Sequence, residues 1–114
     1  VIGISSLGSR RFTPGYAAMG AAKAGMEALT RQLAVELSPR KIRVNTVCGG
    51  LIETDTLSYF PNRDEMIAFA IEHTPMKRLG QPEDLARVVR FLCSEDAGWI
   101  TGQVLVADGG FSAL

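Results

Sequence analysis

Thiols are scarce. Cys48 and Cys93 are the only cysteines in 114 residues, far apart and outside any CxxC pattern. That excludes the disulfide framework of a small secreted domain. Both read as buried free thiols of a reducing compartment, so the expected location is cytoplasmic. Histidine is scarcer still: with His73 alone and no clustered cysteines, no metal site is expected. Excess charge is missing too, since 12 Lys and Arg balance 12 Asp and Glu. Neither a nucleic-acid surface nor a polybasic membrane patch is expected without a local excess. No apolar run approaches the ~20 residues that span a bilayer. The opening VIGISSLGSRR is too short an apolar stretch for a signal peptide.

What is present is an ordinary globular composition at the length of one small domain. VIGIS (1–5) is a β-branched run of the kind buried in a parallel sheet. LGSRRFTPG (7–15) reads as a loop. From Tyr16 to Leu37 the pattern is helical. Ala22, Met26, Leu29, Leu33 and Leu37 recur at helical steps and form the expected inner face. Glu27 and Arg31 read as an i,i+4 pair on another face. Ser38-Pro39 ends the helix, because the residue before proline avoids helical angles. IRVNTVC (42–48) is a second strand and GGLIETDT (49–56) a loop. Residues 62–74 form a short amphipathic helix through Met66, Phe69 and Ala70. Pro82 opens a further helix, with Glu83 and Asp84 at its positive end and Leu85, Val88, Val89 and Leu92 as its stripe. GQVLVADGG (102–110) is a third strand that ends in a turn.

Strands alternating with helices predict an α/β fold on a parallel sheet. Three strands leave apolar surface at a sheet edge, and Val1 already lies in a strand. Both features lead us to expect the later part of a larger domain.

In open α/β sheets, ligands sit beyond the carboxyl ends of the strands. Ser5-Ser6 closes the first strand, and CGGLIET follows the second, with Gly49 and Gly50 allowing close backbone approach. Tyr16 and Lys23 are seven residues apart, two helical turns or about 10 Å along one face. An ammonium beside a phenol favours its ionised form, and such a phenol can donate to an oxygen that gains charge. Spacing alone fits a boundary tyrosine and a surface lysine as well.

The segments ISS, YAAMGAAKAG, RVNTVCGGLIET and GQVLVADGG, in this order and at these separations, resemble the C-terminal half of the short-chain dehydrogenase/reductases. The resemblance covers essentially the whole chain. It implies the C-terminal half of a Rossmann-like, doubly wound parallel sheet in three layers, α/β/α. Residues 1–114 would then be the later part of a single NAD(P)-binding domain whose cofactor-binding N-terminal half is absent. The common pattern of that family is Tyr-x-x-x-Lys with a serine thirteen residues before the tyrosine. Here Ser6 and Lys23 match, but Met19 stands at the tyrosine position and Tyr16 lies nearly one turn earlier. This spacing resembles the divergent enoyl-acyl-carrier-protein reductases, and the GG and FPNR segments resemble their type III.

That likeness implies reduction of trans-2-enoyl thioesters on acyl carrier protein with NADPH or NADH, in fatty-acid synthesis. Tyr16, Lys23 and Ser6 would be catalytic. Ser5, Tyr16, Lys23, Gly49, Gly50, Ile52 and Thr54 would contact the cofactor. The alternatives are a carbonyl or β-ketoacyl reductase (or alcohol dehydrogenase) of the common branch, and a non-catalytic remnant. No Gly-rich strand-to-helix turn for a pyrophosphate occurs in these residues. The alanine face Ala17, Ala21, Ala24 and Ala28, with the family's habit of pairing this helix, implies a homo-oligomer, a tetramer through 16–37. Tyr59, Phe60, Met66 and Phe69 lie in the substrate-covering segment of the family, and core packing would explain them equally. Asn45 reads as structural, His73 as a solvated helix end, Arg10 and Arg11 as solvated, and Asp108-Gly109-Gly110 as a turn.

Overall fold

The computed structural model describes residues 1–114. Its centre is a strand with no exposed position, β2 (Asn45–Gly49), flanked in parallel by β1 (Ile2–Ser6) and β3 (Val104–Ala107). The parallel pairing demands long crossovers. One is α1 (Ala17–Leu37); the other contains α2 (Arg63–His73) and α3 (Pro82–Cys93). The register aligns Ser6 with Gly49 and Gly49 with Ala107, so the three carboxyl ends finish level. β2 and β3 are shorter than the apolar runs suggested, while β1 keeps its length and is shifted by one residue. Gly49 belongs to β2, because it pairs on both sides, while Ile42 lies outside it, beyond the left-handed Lys41. Gly102, also at positive φ, and the Asp108 turn bound β3.

Alternation along β2 divides the sheet between two helical layers. On one side Val47 packs with Leu92 and Ala97, bordered by Ile2, Leu85, Val88, Val89 and Leu105. The stripe expected on α3 is thus the wall of the core. Pro82 opens that helix, and a capping box joins the Gln81 amide to Asp84 at 2.8 Å. Asn45 is fully buried. It donates to the Ile100 carbonyl and accepts from the Gln103 amide, tying the loop before β3 to β2.

The other layer departs from expectation. The buried positions of α1 are Gly20, Glu27, Thr30 and Ala34, with Tyr16 and Lys23 half-buried on the same face. Ala22 is exposed and Leu29 is 52% exposed, while Met26, Leu33 and Leu37 are half-buried flanks. The apolar stripe therefore lies beside the contact face. The sheet beneath α1 offers Ser5 and Thr46, so the helix meets it with polar partners: Thr30 Oγ1 lies 2.7 Å from Thr46 Oγ1. Glu27 does not form the solvated pair with Arg31 expected of it; Arg31 reaches only the Glu27 backbone carbonyl.

A smaller cluster, Leu57, Ala70 and Leu79 with Leu51 and Ile67, holds α2 and the turn Asp55–Tyr59. Phe69 is instead 54% exposed, stacked on His73 at 3.9 Å and edge-on to Phe111 at 6.4 Å. Cys48 is buried as expected, whereas Cys93 is exposed, one residue past the inward Leu92 and so about 100° further round the helix. Burial pushes the Cys48 thiol up, and the Glu27 charge adds to it. No helix is long and apolar enough to cross a membrane.

Candidate active site

Tyr16 is the N-cap residue of α1, one step before its first helical residue. Its hydroxyl lies 3.0 Å from Ser6 Oγ at the end of β1. Two glycines make this meeting possible. A Cβ on Gly8 would fall 2.3 Å from the Tyr16 ring, and a Cβ on Gly20 would fall 2.6 Å from the Gly8 carbonyl oxygen. The loop between β1 and α1 thus packs flat between the ring and the first turns of the helix. Two turns on, Lys23 Nζ donates to the Ile4 carbonyl at 2.8 Å. Tyr16 and Lys23 share the face expected of them, and both reach β1.

Ser5 is only 4% exposed, and its hydroxyl donates to Glu27 Oε1 at 2.6 Å. Little of it is left for a ligand. Ser9 Oγ lies 2.7 Å from the same carboxylate oxygen, and Arg10 Nε donates to Oε2 at 2.9 Å. Burial pushes the Glu27 carboxyl up, but the bonds from Ser5, Ser9 and Arg10 outweigh it and hold it below the ordinary range. Arg10 is exposed, as expected, but its Nε also reaches inward to the buried carboxylate. Arg11 donates to the Ser112 carbonyl at 2.9 Å, which fastens the same loop to the C-terminal segment.

At the ends of β2 and β3 a cavity of about 490 Å³ opens, lined by Gly50, Leu51, Ile52, Val106, Ala107 and Asp108 among others. It contains none of Ser6, Tyr16 and Lys23, although the strand register puts all of these features at one end of the sheet. Where a side chain on Gly49 would sit is Leu85, and on Gly50, Asp108; each glycine admits a packing neighbour. Ile52 bridges to Gly80, and Thr54 is exposed at the head of the following turn. Asp108 accepts from the Gly110 and Ser112 amides, with Gly109 and Gly110 at positive φ: the expected turn. The residue missed in sequence was Glu27. Its signal was available, because it lies four residues after Lys23 and must share that face.

Comparison with known proteins establishes the family. The family profile described as Enoyl-(Acyl carrier protein) reductase matches residues 1–112. A 1-cyclohexenylcarbonyl-CoA reductase of Streptomyces collinus is 42% identical over an alignment covering 100% of this chain and 41% of the relative. A 3-oxoacyl-acyl-carrier-protein reductase of Chlamydia pneumoniae is 40% identical, with 98% of this chain and 44% of the relative covered. Among solved structures, a short-chain dehydrogenase/reductase of Brucella melitensis superposes with a TM-score of 0.89 at 37% identity, over 96% of this chain and 44% of that one. The chain thus spans less than half the length of these proteins. It belongs to the short-chain dehydrogenase/reductase family, in the group that the matching profile describes.

Proposed function

We propose that this chain provides the reacting end of an NAD(P)H-dependent reductase of trans-2-enoyl thioesters carried on acyl carrier protein. The observation that carries the proposal is the 3.0 Å contact between Tyr16 and Ser6, made by a tyrosine nearly one turn before the position of Met19. In a conjugated thioester, hydride goes to the β-carbon and charge gathers on the carbonyl oxygen, further along the substrate than the oxygen of a ketone. A phenol moved three residues back along the helix, about 4.5 Å of rise, would meet that oxygen. Tyr16 donates to the enolate oxygen, Ser6 orients the phenol, and Lys23 leaves the Ile4 carbonyl to hold ribose hydroxyls.

The residues fit the nicotinamide end of the cofactor. The cavity at Gly50 and Ile52 is of ligand size and lies beyond the strand ends. Gly49 and Thr54 border the same loop. When bound, NADPH or NADH supplies the hydride; the chain binds, orients and donates the proton. We extend the proposal to self-association through α1, whose Ala17, Ala21, Ala24 and Ala28 are small and exposed.

The name of the Streptomyces relative, a reductase of a conjugated acyl-CoA, supports this reading. That of the Chlamydia relative favours a second one, reduction of a β-ketoacyl thioester. Assays of the complete protein with a trans-2-enoyl and a β-ketoacyl thioester separate them. Tyr16→Phe is expected to lower enoyl reduction by about 10²–10⁴-fold, the usual worth of a positioned proton donor, with coenzyme affinity within a few-fold. Faster turnover of the β-ketoacyl thioester, or unchanged turnover by Tyr16→Phe, overturns the reading.

A further inference from the structure

We infer that Glu27 is the positioning residue of the Ser6–Tyr16 pair: a buried carboxylate on α1 that fixes the loop carrying Ser6 so that its hydroxyl meets the phenol. The inference rests on the reading of that pair as the reacting end. Glu27 is 6% exposed, and a carboxylate is rarely so buried unless donors surround it. All three side-chain donors to it come from one segment and lie on both sides of Ser6. Ser5 stands immediately before, and Ser9 and Arg10 follow.

The link from Glu27 to Ser6 is short. Ser9 Oγ lies 2.7 Å from Glu27 Oε1 and 2.8 Å from the carbonyl oxygen of Ser6, so its single proton is shared between them. Ser5, held at 2.6 Å, precedes Ser6 in β1. The remaining freedom of the loop is removed by the contact of Gly8 with the Tyr16 ring and of Gly20 with the Gly8 carbonyl. A shift of the loop therefore moves the serine hydroxyl and the seat of the tyrosine ring together. Glu27 lies one helical turn after Lys23, so one helix face orders the ammonium, the phenol and the anchor of their serine.

A carboxylate that only stabilises the fold would change melting temperature and leave the chemistry of folded molecules alone. The complete protein distinguishes the two, through kcat, KM and thermal unfolding of Glu27→Gln, Glu27→Asp, Ser6→Ala and the double variant of Ser6→Ala with Glu27→Gln. Glu27→Gln keeps the shape but turns an amide donor toward donors. It is expected to lower kcat by about tenfold, part of the ~10²-fold that an ångström of misplacement costs. KM for the thioester and coenzyme should stay within about twofold, and Glu27→Asp should recover part of kcat. The decisive term is coupling: Ser6→Ala should cost clearly less in the Glu27→Gln background than in the native one.

An unchanged kcat in Glu27→Gln overturns the inference, as does an undiminished effect of Ser6→Ala in its background. If Glu27→Gln does not fold, Ser9→Ala takes its place with the same expectations. Tyr16→Phe, measured in parallel, keeps the two claims apart. If it is inert, the reading of the site fails; if it is crippled while Glu27→Gln is native-like, only the positioning role fails.

Discussion

The two helical layers pack on one sheet by opposite means. α3 lays Leu85, Val88, Val89 and Leu92 over Val47 in an apolar cluster. α1 lays Tyr16, Lys23, Glu27 and Thr30 over Ser6, the Ile4 carbonyl, Ser5 and Thr46, and every one of these contacts is polar. Apolar packing is non-directional and tolerates small displacement. Hydrogen bonds set distance and angle, and a buried carboxylate with a missing donor is heavily penalised. One layer thus supplies stability, and the other holds side chains at defined positions. The sheet carries both because alternate residues of a strand face opposite ways.

Substitutions on the two layers should break this contrast in different ways. The largest loss of stability belongs to the apolar side. Leu92, 1% exposed, replaced by Ala should destabilise by about 2–5 kcal/mol in chemical denaturation, leaving the activity of the folded fraction intact. Next is Gly20→Ala on the polar side. A mid-helix Gly→Ala change ordinarily stabilises by up to ~1 kcal/mol. Here the new Cβ meets the Gly8 carbonyl oxygen at 2.6 Å, so we expect a net loss of about 1–3 kcal/mol together with reduced turnover, since the loop bearing Ser6 must move. A stabilised, fully active Gly20→Ala protein would refute the tight seating of that loop.

The smallest effect is acid sensitivity, which sharpens the contrast between two carboxylates. Glu27 has a folded value below its ordinary 4.5. Its contribution is complete above that ordinary value and is lost as pH falls through the folded one. Asp84, on the rim of α3, is held at about 2, first by its bond to Arg78 and then by the Gln81 amide. Its contribution is complete above the ordinary 3.8 and lost as pH falls through about 2. In acid unfolding at low and high salt, Asp84→Asn should flatten a salt-sensitive component, because that pair is exposed and screened. Glu27→Gln should flatten one that salt barely alters. Equal salt sensitivity of the two would show that Glu27 is more solvated than its surroundings imply.

The α3 layer was legible at every residue but Cys93, which was expected to be buried and is exposed. Pro82, the acidic first turn and the apolar stripe each report a local preference, and all agree with the fold. The α1 layer was legible only in part. The spacing of Tyr16 and Lys23 put them on one face, and they are on one face. The apolar stripe through Ala22 and Leu29 pointed to a different side of the helix from the one that contacts the sheet. Hydrophobic periodicity finds a buried face only where that face is apolar, and the inner face of α1 is polar. For the same reason Glu27 read as the partner of Arg31, although its partners lie across the loop.

What the sequence by itself determined is the order of strands and helices, the parallel sheet, the α3 core and the turn at Asp108. These follow from local propensity and from the period of apolar residues, which neighbours along the chain decide. Only the tertiary structure decided which face of α1 is buried, that Ser5 and Arg10 serve Glu27, and that Ser6 meets Tyr16. Those facts depend on donors and acceptors brought together from separate segments. A polar residue carries no mark of its own burial until its partner is in place.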